Sequence, residues 1–194
     1  SPASPAARER AAPPIFPMRH ALASLARNLA AGLQLAIFLP VSRLAFRIDL
    51  VQLLLLLAVS ALLDIGTDWA RYGAAGDFSW FGLGTEFFGA GLLLISSALL
   101  ALAFGQRALA LALPVLLLAG FPLLQLLRLV PCFAINAVPD WDSYAPLFDL
   151  LLIAWVFALA ARSVAIALAP ARPRRWWRAL AGGLVLIAPL WFAP

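Results

Sequence analysis

Five stretches of 17–24 residues in this chain are built mostly of Leu, Ala, Val, Ile and Phe: 48–69, 87–104, 109–130, 145–168 and 176–192. Each lies close to the ~20 residues that a helix needs to cross the hydrocarbon of a bilayer. Hydrophobic residues reach 64% and charged residues 12% of the 194. An ordinary globular domain carries roughly 45–50% and about 25%. A soluble domain of this size has too high a surface-to-volume ratio to hide that much apolar surface. The expected fold is therefore an all-α integral membrane protein with about five transmembrane helices. Four spans with a re-entrant segment is the alternative.

Three regions follow from this pattern. Residues 1–17 are rich in Pro and Ala, lack periodicity and read as a disordered N-terminal segment; Met18 is a plausible natural start. Residues 18–47 read as an amphipathic helix and linker, cytoplasmic or lying in the membrane interface. Leu22, Leu25, Leu29, Leu33 and Ile37 recur at helical spacing, and Arg19, Arg27, Asn28 and Gln34 supply the polar positions. Arg19 ahead of an apolar run also fits a secretory signal, but Arg27, Asn28 and Gln34 interrupt its apolar stretch. Residues 48–194 form the five-helix transmembrane domain, with Pro114 and Pro122 accommodated as kinks.

Orientation follows from the arginines. All fourteen basic residues are Arg. Arg8, Arg10, Arg19, Arg27, Arg43 and Arg47 precede the first span, Arg107 lies in the second loop, and Arg172, Arg174, Arg175 and Arg178 flank the last. The other loops hold Arg71 and collect Asp64, Asp68, Asp77, Glu86, Asp140, Asp142 and Asp149. The positive-inside rule makes the arginine side cytoplasmic. The expectation is a bacterial inner-membrane protein with its N-terminus in the cytoplasm and its C-terminus in the periplasm. Its net charge of +5 belongs to that loop asymmetry, and no nucleic-acid partner is expected.

Little chemistry is available. Cys132 and His20 are single and fall on opposite faces in this topology, so no Cys/His catalytic pair is expected. No P-loop, G-x-S-x-G or H-E-x-x-H motif occurs, and neither a cofactor nor a metal site is expected. Gly82-Leu83-Gly84 is a turn signal. Gly182–Gly183 and the row Ala154, Ala158, Ala161 and Ala165 are small faces for helix packing.

The candidate polar cluster is Asp64, Asp68, Glu86 and Arg162. Asp64 and Asp68 are four apart near the end of the first span, and Glu86 lies in the loop beyond it. Two readings stand: a hard-cation site or proton relay, or acids solvated at the outer surface. Arg162 lies well inside the fourth span and either pairs with an acid or snorkels to the cytoplasmic face. Arg47 with Asp49 marks the inner end of the first span. The segment PCFAINAVPDWDSYAP is read as an outer loop, a lid or a partner surface.

Four segments carry a resemblance: RNLAAGLQLAIFLPVSRLAFRI, LLDIGTDWARYG, FGLGTEFFGAGLLL and SVAIALAPARPRRWWRALAGGLVLIAPLWFAP. Over about residues 19–194 the chain resembles the N-terminal membrane region of bacterial C13-family, legumain-like cysteine peptidases. In that family a caspase-like domain follows, with a His-Gly and a Cys at a strand end. Here His20 is followed by Ala21 and Cys132 by Phe133, so no catalytic residue carries over. The resemblance implies a non-catalytic membrane anchor that presents a C-terminal domain or a protein partner to the periplasm. In span count and N-terminal arm the chain is also similar to Yip-type membrane scaffolds. A small transporter or channel using Asp64, Asp68 and Glu86 is the rival class.

Overall fold

A computed structural model of the chain describes residues 18–73, 80–137, 140–168 and 176–188. Among them are seven α-helices and no strand: α1 Met18–Ala36, α2 Leu50–Tyr72, α3 Trp80–Ala103, α4 Leu109–Leu127, α5 Val130–Ala137, α6 Trp141–Leu168 and α7 Trp176–Ile187. A 3-10 turn, Arg43–Ala45, sits between α1 and α2. The proposed disordered segment 1–17, Asp77 and the loop arginines Arg172, Arg174 and Arg175 lie outside the described residues.

Among the described residues, three stretches are long and apolar enough to cross a membrane: Leu50–Ala70, Leu109–Leu127 and Ser143–Leu168. Phe87–Ala103 and Trp177–Ile187 are shorter apolar helices. The fifth expected span runs beyond residue 188 and so lies partly outside the described residues.

The bundle is organised around α4. Every residue from Ala112 to Gly120 is buried, because α1, α2, α3 and α6 all pack against this helix. Pro114 and Pro122 lie inside it. Each removes one backbone donor, a loss that surrounding helices can accommodate. Leu113, Leu116 and Leu117 are fully inaccessible and meet Leu35, Leu56, Leu159, Val164 and Leu186 in one continuous core. Helix α7 packs on α6, and also on α3, and closes in on α6 through its glycines. A Cβ on Gly183 would fall 2.7 Å from the Ala161 backbone, and one on Gly182 would fall 2.9 Å from Val164 Cγ1. Of the alanine row on α6, Ala161 is buried while Ala154 and Ala165 are exposed.

Two local expectations are corrected. Gly82-Leu83-Gly84 and Glu86 lie in the first turns of α3, not in a loop. Glycine weakens a helix interior by about 1 kcal/mol against Ala, and the apolar run that follows outweighs it. The segment read as an outer loop contains α5 and the start of α6, whose first turn begins at Trp141, four residues ahead of the expected span. Trp141 and Phe148 meet at 5.7 Å between ring centroids there.

The N-terminal helix joins this bundle. Its buried face is Ser24, Asn28, Ala31, Gly32, Leu35 and Ala36. A Cβ on Gly32 would overlap the carbonyl of Ala119, so the α1 and α4 backbones are in direct contact. The path of the chain can be followed against α6. The Ala36 carbonyl accepts from the Trp155 indole at 2.8 Å. Trp155 is thirteen residues short of Leu168, the last residue of α6, or about 20 Å at 1.5 Å per residue. The Leu39 carbonyl accepts from Arg162, about 9 Å from that end. Arg43 then reaches the Ala167 carbonyl at 3.5 Å, in the last turn of α6. Asp49 finally caps α2. Helix α1 thus descends into the bundle, and residues 37–49 bring the chain back to the end from which it started.

Candidate functional site

Polar side chains in so apolar a bundle are costly unless hydrogen-bonded, and the described side-chain hydrogen bonds between separate segments gather in three places. The first ties α1 to the start of α2. Asp49 is the N-cap of α2: its Oδ1 accepts from the Gln52 backbone N–H at 2.7 Å, and its Oδ2 takes the Arg47 guanidinium at 2.8 Å. Arg47 also donates to Ser24 Oγ at 3.1 Å. Asn28, fully buried, accepts from the Arg47 N–H at 2.8 Å and donates to the Arg47 carbonyl at 3.0 Å. Gln52, equally buried, accepts from Asn28 at 3.3 Å and donates to the Ala21 carbonyl at 3.1 Å. Arg47 and Asp49 do more than mark the end of a span; they anchor the return of the chain. The spacing Asp49-x-x-Gln52 before an apolar run is a helix-start signal in the sequence. Asn28 and Ser24 carried none beyond being polar.

The second place joins α2 to α4. Gln125 is buried, and its Nε2 donates to Ser60 Oγ at 3.0 Å and to Asp64 Oδ2 at 2.8 Å. Its Oε1 is buried without a hydrogen-bond partner among the described residues. The structure separates the two acids that share a helix face in the sequence. Asp64 is half-buried and engaged with α4, whereas Asp68 is exposed one turn further on. Glu86 has its backbone in α3, and its side chain lies outside the described residues. Gln125 and Ser60 are the partners that sequence reading missed, since a single Gln in a Leu-rich run has no distinguishing spacing.

The third place surrounds Arg162. Its guanidinium donates to the Leu39 carbonyl and lies 5.5 Å from the centre of the Phe38 ring. Phe38 in turn meets Trp155 at 6.4 Å between centroids. Of the two expected partners for Arg162, an acid on another helix is not the one found: its hydrogen bond goes to a backbone carbonyl. Phe38 has φ 62°, the left-handed region that glycine favours. The bonds from Phe38 N–H to Leu35 and from Leu39 N–H to Gln34 make this a Schellman cap on α1. The same cap closes α3, where Gly105 holds the equivalent position at φ 66°.

Chemically, these clusters are equipped to hold helices together. Among the described residues, no three His, Cys, Asp or Glu side chains group as a metal would require. No family model matches the chain, and neither does a curated protein or a solved structure.

Proposed function

We propose that this chain is a non-catalytic, polytopic domain of a bacterial inner membrane that anchors a C-terminal domain or a protein partner at the periplasmic face. In this reading five helices span, the N-terminus is cytoplasmic and the C-terminus periplasmic, as in the membrane region of legumain-like peptidases that the sequence resembles. The observation that carries it is the burial of α4 along residues 112–120. A close-packed apolar helix occupies the axis of the bundle, where a transporter or channel would keep a polar path. The buried amides of Asn28, Gln52 and Gln125 are turned to neighbouring helices and brace the scaffold.

The second reading, a cation or proton pathway, draws on Asp64 beside the unsatisfied Oε1 of Gln125. Two measurements decide between them. An alkaline phosphatase fusion after Pro194 should be active and a green fluorescent protein fusion there dark; the reverse pattern overturns the orientation. Purified protein in liposomes should pass no more H+, Na+ or K+ than empty vesicles. A flux abolished by Asp64→Asn would replace the anchor reading with the transport one.

A further inference from the structure

Arg162 is a cation in a stretch of α6 that is long and apolar enough to cross a membrane, about 9 Å short of the last residue of the helix. Its one hydrogen bond among the described residues, to the Leu39 carbonyl, uses one of the five N–H groups of a guanidinium. The Phe38 ring offers a further, weaker attraction. No carboxylate lies within ion-pair reach of it among the described residues. A charge at that depth is expensive unless an anion meets it.

Arg43 repeats the arrangement one level nearer the surface. It too spans from the returning segment to α6, with one bond to the Ala167 carbonyl. Two guanidinium groups therefore line one seam, between residues 37–44 and the last two turns of α6, each with one hydrogen bond among the described residues. The returning segment that carries Arg43 also has apolar side chains that the described residues leave uncovered. Ile37, Phe38 and Leu39 are exposed, and Leu44 is 91% exposed. Paired guanidinium groups beside exposed apolar side chains match a ligand with a phosphate at one end and acyl chains at the other.

We propose that this seam binds an anionic glycerophospholipid, its phosphate held by Arg162 and Arg43 and its acyl chains lying over Ile37, Phe38 and Leu39. Planar guanidinium groups suit phosphate oxygens because two parallel N–H bonds meet two oxygens. The C-terminal dipole of α6 opposes an anion with about half a unit of negative charge. Two full positive charges exceed it. The apolar rim selects a lipid over free phosphate, since a soluble anion would leave Phe38, Leu39 and Leu44 in water. The proposal rests on the membrane placement of the bundle but not on which face is cytoplasmic.

The test uses the full chain purified in mild detergent. Thermal stability and native mass spectrometry are followed with added phosphatidylglycerol, with phosphatidylcholine of the same chains, and with glycerol 1-phosphate. Phosphatidylglycerol is expected to raise Tm and to persist as a one-to-one adduct, with the other two at least tenfold weaker. The double variant Arg43→Gln/Arg162→Gln should lose that preference. Arg27→Gln/Arg107→Gln removes the same charge from exposed positions elsewhere and should keep it. Should the first variant not fold, Arg162→Lys keeps the charge without the planar fork and should bind phosphatidylglycerol severalfold more weakly. Equal binding of the two phospholipids, an equal effect of glycerol 1-phosphate, or unchanged preference in the Arg43/Arg162 or Arg162→Lys variants overturns the proposal. A reversed fusion pattern with the preference intact overturns the orientation alone.

Discussion

Asn28 satisfies both backbone groups of Arg47, accepting from its N–H at 2.8 Å and donating to its carbonyl at 3.0 Å, across nineteen residues of sequence. One side-chain amide thus acts as a strand neighbour would, in a bundle that has no strands among its described residues. Asn28→Ala would leave the part-buried Arg47 N–H and carbonyl and the buried Gln52 Oε1 without this partner. Unmet buried groups cost about 1–3 kcal/mol apiece, and relaxation offsets part of that. We expect a loss of about 2–4 kcal/mol in a denaturant titration, and no smaller a loss for Asn28→Asp, whose second carboxyl oxygen would face two acceptors, the Arg47 carbonyl and Gln52 Oε1, at a buried site. A change below 0.5 kcal/mol for Asn28→Ala would contradict the clamp.

Gly32 and Gly66 give a second contrast. A Cβ at position 32 collides with the Ala119 carbonyl, while one at position 66 meets nothing within 4 Å. Gly32→Ala should therefore lower Tm markedly by forcing α1 off α4. Gly66→Ala, in the interior of α2, should be neutral or stabilising by up to about 1 kcal/mol through helix propensity. Thermal unfolding of the two variants in one detergent checks the pair; equal effects would show that α1 does not sit as described.

Asp64 and Asp68 should behave differently despite their spacing. Asp68→Asn touches an exposed group near a helix C-terminus, and its effect should stay within about ±0.5 kcal/mol. Asp64→Ala removes the acceptor of the Gln125 amide at 2.8 Å and should cost about 1–2 kcal/mol. Asp64→Ala combined with Gln125→Leu should cost less than the two single changes added together. Additivity in that double-mutant cycle would show that the two side chains do not interact.

Phe38 pays for its left-handed backbone with contacts to Trp155 and Arg162. The backbone cost for a non-glycine residue is about 1–2 kcal/mol. Phe38→Gly removes that cost and the ring contacts together, so its net effect should be small. Phe38→Ala keeps the backbone cost and loses the ring, and should be the more destabilising of the two. Finding Phe38→Ala as stable as Phe38→Gly or more so would show that the left-handed backbone at this position carries no cost.

The helical, membrane-type character of the chain was legible from residue order alone. Runs such as Leu53–Leu57 and Leu109–Leu118 mark apolar helices, and α2, α4 and α6 emerge at nearly the expected bounds, each with a stretch long and apolar enough to cross a membrane. The helical period of Leu22, Leu25, Leu29 and Leu33 likewise marked α1 as a helix. The partner of α1 was not legible. Apolar periodicity reports that a face is covered, and lipid and protein cover a leucine equally well. Its buried seam turned out to centre on Asn28, Gly32 and Leu35, so Leu22 and Leu33 of the periodic set are exposed.

Residue order by itself determined which long stretches are helical and how apolar they are, because these are local or additive properties. Tertiary structure alone decided which polar groups meet: Asn28 with Arg47, Gln125 with Asp64, and Arg162 with the carbonyl of Leu39, 123 residues away. The reason is physical. Helix formation depends on neighbours three and four residues apart, whereas these hydrogen bonds depend on where the path from Ala36 to Asp49 returns along α6, and no spacing in the chain encodes that path.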